Sequence, residues 1–177
     1  MSNVHPYVKL ARMTVERLLN GEAPPVSGAV AESDVELWNK ERACFVSIKT
    51  LTGALRGCIG TIVPTQSGLD REIIANATAA STRDPRFPPM TAPELKETTF
   101  SVDVLSLPEP VSDRGELDPS VWGVIVSQGL RRGVLLPDLE GVDTVEEQLR
   151  IAAQKAGIRE IDSGVMIERF RVDRYKE

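Results

Sequence analysis

Cys44-Phe45-Val46-Ser47-Ile48-Lys49, a Thr52-Gly53 turn, and Ala54-Leu55-Arg56-Gly57-Cys58-Ile59-Gly60 running on to Val63 read as two strands folded back on each other. Val46 and Ile48 alternate with Ser47 and Lys49 at the period of two that an extended chain imposes, and a glycine marks the reversal. A tight turn of this kind joins antiparallel strands, whereas parallel strands need a long crossover. The stretch therefore predicts an antiparallel sheet.

Upstream of this hairpin, Pro6 suits a first helical position, and Val8, Ala11, Val15, Leu18 and Leu19 recur at helical spacing until Asn20-Gly21 supplies a stop. Glu22 to Ser33, with Pro24-Pro25 and Gly28, has loop chemistry. Downstream, Ser67 with Asp70 reads as the cap of an alanine-rich helix from Leu69 to Ala80, which Asp84-Pro85 interrupts. The small face of that helix permits close packing. Thr91 with Glu94 opens a short helix leading to a strand over Phe100–Val104. Val121–Val126 and Val134–Leu136 flank Ser127–Gly133 as a second hairpin. Thr144 with Glu147 then caps a helix that Gly157 ends, and Val165–Val172 supplies a last strand. The order α-β-β-α-α-β-β-β-α-β predicts an α+β fold, a largely antiparallel sheet flanked by helices. The sequence shows no internal repeat and no low-complexity segment.

A chain of 177 residues suits one domain, so residues 1–177 are expected to form a single domain. Hydrophobic residues at 41% and charged residues at 27% give a globular balance. The net charge of −5 provides no global positive field for a phosphate backbone. No apolar run approaches the roughly 18 residues of a membrane span, and the opening lacks the apolar core of a secretory signal. The expectation is a cytoplasmic protein with no membrane contact, whose two cysteines, Cys44 and Cys58, are reduced. His5 is the only histidine, and no Cys-x-x-Cys or His-Glu-x-x-His pattern occurs. No metal site is expected. Gly53, Gly57 and Gly60 miss both common nucleotide-binding spacings, so no cofactor is expected either.

The returning strand carries the candidate chemistry. Extended geometry puts Arg56 and Cys58 on one face and Leu55 and Ile59 on the other. A guanidinium beside a thiol favours the thiolate, and Gly57 and Gly60 leave the backbone open to a ligand. The plainer alternative makes Cys58 a small filler, pairs Arg56 with a surface carboxylate and uses the glycines to admit a crossing helix. Asp84-Pro85-Arg86 either places a carboxylate and a guanidinium at a site or terminates a helix with a local ion pair. Arg131 reads as solvated, Arg132 stays open as an anion contact, and Lys155 complements its helix C-terminus. Cys44 shares a face with Val46 and Ile48 and reads as core; His5 reads as a surface residue preceding a helix.

Leu55-Arg56-Gly57-Cys58-Ile59-Gly60 resembles the signature of the AMMECR domain family, known in microbes as protein A of the AmmeMemoRadiSam system. Asp84-Pro85-Arg86-Phe87-Pro88-Pro89, Arg132-Gly133-Val134-Leu135-Leu136-Pro137, Lys155-Ala156-Gly157 and the opening His5-Pro6-Tyr7-Val8-Lys9-Leu10-Ala11-Arg12 are similar to further blocks of that family. Two departures stand out: Asp138 where members often carry Gln, and Gly141-Val142-Asp143 where a Trp is common. The resemblance implies an α+β body with a smaller second lobe, and a cleft between them where these blocks gather. It implies Memo-like and radical-SAM proteins as partners, and a role in RNA modification has been suggested for the family. The chain itself lacks a radical-SAM cysteine triad. With the residue chemistry, the resemblance points to ligand-binding roles for Arg56, Gly57, Gly60, Arg86 and Arg132.

Three functions follow as expectations. One is an accessory module binding a small anion or a partner in a modification pathway. Another is an enzyme in which Cys58 is the nucleophile, Arg56 or Arg86 stabilises charge, and Asp84 orients an arginine or exchanges a proton. The third, contact with RNA, is disfavoured by the net charge of −5 and by aromatic residues at only 5%. The sequence sets no oligomeric state.

Overall fold

The computed structural model describes residues 4–29 and 38–177. The predicted hairpin is present as β1 (Cys44–Thr50) and β2 (Leu55–Gly60), paired antiparallel with Ser47 opposite Cys58 and Ile48 opposite Gly57. The register then slips so that Lys49 faces Leu55, leaving Arg56 as the extra residue of a bulge. β2 is shorter than the sequence predicts. After Gly60 the chain turns into a loop organised by the fully buried Glu72, whose carboxylate accepts the backbone N–H groups of Thr65 and Gln66, each at 2.8 Å.

The backbone divides into two compact units, one of Met1–Val104 with Asp173–Glu177 and one of Leu105–Val172. In the first, β3 (Thr98–Leu105) and β8 (Val172–Lys176) complete a four-stranded sheet in the order β2-β1-β3-β8. The helix α1 (Pro6–Leu19) has the predicted proline start and ends at Asn20, with Gly21 at φ +75°. Together with α2 (Leu69–Thr82) it packs into a core of Val8, Val15, Val46, Ile73 and Phe100. Burying this apolar surface is the main favourable term for the unit. The start of α2 differs from expectation: Gly68 stands at the cap position with no side-chain cap, and Ser67 instead accepts a hydrogen bond from Arg71 at 2.6 Å. Thr91 and Glu94 do open a short helix, of the tighter 3-10 form, over Ala92–Glu97. Residues 22–29 form the expected loop, while 30–33 of that prediction lie outside the described residues.

The second unit has a sheet of order β4-β7-β5-β6, from β4 (Glu109–Pro110), β5 (Gly123–Gln128), β6 (Arg131–Leu135) and β7 (Met166–Phe170), all antiparallel. The helix α3 (Val145–Lys155) is capped by Thr144, which accepts from the Glu147 N–H, and ends before Gly157 at φ +69°. Leu149, Ala152 and Ala153 pack with Val124, Val126 and Leu135 into a separate core. The single last strand expected over Val165–Val172 is in fact two, β7 and β8, which join different sheets. Arg171 separates them, and only tertiary pairing distinguishes the two halves.

An arrangement that the sequence hides occurs in both units. Each has a hairpin whose second strand carries Arg-Gly, followed by a helix crossing at that glycine. A Cβ on Gly57 would collide with the Ala80 carbonyl oxygen, and one on Gly133 with that of Ala152. The following residue's carbonyl is then capped by a cation: Arg86 donates to Cys58 at 3.0 Å, and Lys155 to Val134 at 3.3 Å. Only the Arg-Gly pair is shared in sequence, so the recurrence cannot be read from residue identity.

Candidate functional site

Cys58 sits on an edge strand, and its N–H and C=O point away from β1. The Asp84–Arg86 pair takes the place of a missing neighbour strand. The Cys58 N–H donates to Asp84 Oδ2 at 2.8 Å, and Arg86 Nη2 donates back to the Cys58 carbonyl at 3.0 Å. Arg86 also grips the carboxylate through Nε to Oδ1 at 2.9 Å, Nη2 to Oδ2 at 2.8 Å, and its own N–H to Oδ1 at 3.1 Å. These bonds hold the buried Asp84 well below the ordinary carboxylate range; the guanidinium is the largest cause, opposed by desolvation. The same pairing raises Arg86, with the Cys58 sulfur adding a smaller effect.

The Cys58 side chain is half-buried and receives the Ser47 hydroxyl at 3.1 Å. Ser47 and Cys58 are directly opposed without exchanging backbone hydrogen bonds, the pairing that brings cross-strand side chains closest. Arg56 lies beside this group but is occupied. Its Nε donates to Glu94 Oε1 at 2.6 Å, and Nη2 donates to Glu94 Oε2 at 3.3 Å and to the Pro88 carbonyl at 3.1 Å. Arg56 and the Thr91 cap hold Glu94 down at about 2. The Phe87 ring is shared by both guanidiniums, with Arg56 Cζ 5.8 Å and Arg86 Cζ 5.7 Å from its centroid.

The structure thus brings Arg56, Cys58, Asp84 and Arg86 together in the first unit. Gly57 and Gly60 have packing reasons of their own: Gly57 admits α2, and a Cβ on Gly60 would strike the Phe45 ring. Arg132 belongs to the second unit, where it pairs with Glu168 at 3.2 Å. Arg131 is more than a solvated residue, since it donates to the Gly157 carbonyl at 3.0 Å and binds Gln128. His5 is half-buried: it caps α1 by accepting the Tyr7 N–H at 3.4 Å and stacks on Tyr175 with centroids 4.0 Å apart. Cys44 is fully buried, and desolvation pushes its thiol up to about 12.

Sequence reasoning missed Ser47, Phe87 and Glu94 as members of the site. Ser47 was recoverable from strand alternation once the hairpin register was fixed, whereas Glu94 was masked by its role in a helix start. Among the described residues, no three His, Cys, Asp or Glu side chains gather in a way that could hold a metal ion. No helix among them is long and apolar enough to cross a membrane.

Two antiparallel sheets with flanking helices, and an Asp-Arg pair closing the edge of an Arg-Gly-Cys strand, define an α+β protein with a built polar site. The AMMECR1 family model matches residues 8–175, and the chain belongs to that family. It is 52% identical to a protein of Thermotoga maritima over 99% of this chain and all of that one. It is 49% identical to a protein of Clostridium acetobutylicum over 97% of this chain, but spans only 36% of that longer relative. The crystal structure of an uncharacterized protein from Pyrococcus horikoshii superposes with a TM-score of 0.84 at 28% identity, covering 97% of this chain and 89% of the other.

Proposed function

We propose that the chain is a binding module rather than a catalyst, docking a small anionic ligand or an acidic partner segment at Arg86 and Phe87 beside Cys58. The observation that carries this reading is the state of the Asp84–Arg86 pair. Asp84 accepts four hydrogen bonds and is held ionised, so it has little capacity to take a proton. Arg86 is pinned along its Nε–Nη2 edge, yet its side chain is 53% exposed and Nη1 makes no hydrogen bond among the described residues. A guanidinium oriented by one carboxylate with a free N–H edge is prepared to accept a second anion.

Family resemblance supports reading the module as an accessory in a modification pathway with Memo-like and radical-SAM proteins. Thiol catalysis by Cys58 has the Ser47 hydrogen bond in its favour, but needs a base that neither the saturated Asp84 nor the helix-capping His5 supplies. RNA contact has less support, because a chain of net charge −5 with aromatic residues at only 5% offers a polyanion neither a broad positive field nor stacking platforms.

The test pairs co-purification with the two proposed partners and a thermal-shift screen of anionic metabolites, using the full chain and the Arg86→Lys variant. Lysine keeps the positive charge but loses the fork, so binding should weaken while the fold persists. Substrate turnover by the isolated chain that disappears in Cys58→Ser would overturn the binding-module reading.

A further inference from the structure

The second unit holds a separate feature that the site above does not use. An open groove of about 800 Å³ runs beside α3, between that helix, the 3-10 turn at Arg114–Glu116 and the segment from Gly157 to Ile161. That volume lies within the range typical of small-molecule sites. Leu149, Ala153, Ile158 and Ile161 give it an apolar floor, and Arg114, Arg150 and Arg159 line it with positive charge.

The arginines are what distinguish this groove. Most described arginines are engaged by a carboxylate, a carbonyl, another polar side chain or an aromatic ring; only Arg83, Arg114 and Arg159 have side chains with no such contact. Two of those three line this one groove. Arg150 is held only by Glu147 at 3.4 Å, with its side chain 65% exposed. In a chain of net charge −5, three arginines lining one groove, two of them unengaged, form a local exception. Glu146 and Glu160 also line the groove, which sets a limit on the ligand: a polyanion would meet repulsion that a singly or doubly charged molecule avoids.

We propose that this groove is a binding site for an amphipathic organic anion, a carboxylate, sulfonate or phosphate head carried on an apolar body. The head pairs with Arg114 and Arg159, and the body lies against the half-buried Ile161, backed by the buried Leu149 and Ile158. The proposal is independent of the reading given for the Arg86 site.

The experiment uses the full chain and the fluorescent sulfonate 1-anilinonaphthalene-8-sulfonate, whose charged group and fused rings match this class. The expected result is saturable binding at one site, weakened about tenfold or more in the Arg114→Gln/Arg159→Gln double variant. Arg83→Gln, which removes an equally unengaged arginine outside the groove, should leave the affinity unchanged. All three are exposed surface positions, so circular dichroism should report the same fold for every variant. Three results would each overturn the proposal: no saturable binding, equal affinity in the double variant, or an equal loss in Arg83→Gln.

Discussion

At Cys58 the physical question is why an edge strand here is safe. Its outward N–H and C=O would recruit another chain, and a carboxylate and a guanidinium two residues apart close that opening. Asp84→Ala would leave the Cys58 N–H without its partner and Arg86 without its anchor. It should cost about 3 kcal/mol by urea unfolding, with concentration-dependent scattering as a second readout. Asp84 and Glu94 are both depressed in the folded state, Glu94 from 4.5 to about 2. A depressed carboxylate contributes stability that is present above its unfolded value and is lost as pH falls through the folded one. The wild-type melting temperature should therefore fall as pH drops from about 5 to about 2.5, and Asp84→Asn/Glu94→Gln should flatten that slope. The two thiols divide by burial. Cys44 is fully buried and held protonated, so brief iodoacetamide treatment followed by mass spectrometry should label Cys58 in the native protein and Cys44 only after unfolding.

Among the elements, the decisive contacts are those of helices over glycines. Gly57→Ala forces a methyl group against the backbone of Ala80, which cannot swing aside as a flexible side chain would. A loss of about 1–3 kcal/mol is expected in thermal unfolding; an unchanged melting temperature would show that α2 shifts freely. The ends of α1 and α3 were legible because a proline, a threonine and two glycines each act within one turn of their own position. The division of Val165–Val172 was not, because strand preference runs straight through Arg171 while the choice of sheet depends on distant neighbours. The same limit governs the site. That Arg56 and Cys58 lie near each other is legible from their spacing on one strand, even though the bulge at Arg56 interrupts the alternation there, but Asp84 meets Cys58 through a backbone N–H, and every residue except proline offers one. Gly57 illustrates a cue with two readings, an open backbone or a crossing helix, and packing decides for the helix.

On the scale of the whole molecule, the first unit is made of two stretches of chain, Met1–Val104 and Asp173–Glu177, with Leu105–Val172 between them in sequence. The short second stretch is firmly held: Glu177 binds Arg12 at 2.5 and 2.6 Å and accepts the Phe100 N–H at 3.0 Å. Glu177→Ala should lower stability by about 2 kcal/mol in urea, and Arg12→Ala by a similar amount, with the double variant losing less than the sum. Such discontinuity also governs how the protein is made. A ribosome releases β1, β2 and β3 early, but β8 can take its place beside β3 only after all of Leu105–Val172 has been synthesised. For that interval the nascent chain carries a three-stranded sheet with a bare flank on β3, a period of exposure in which chaperones have something to hold.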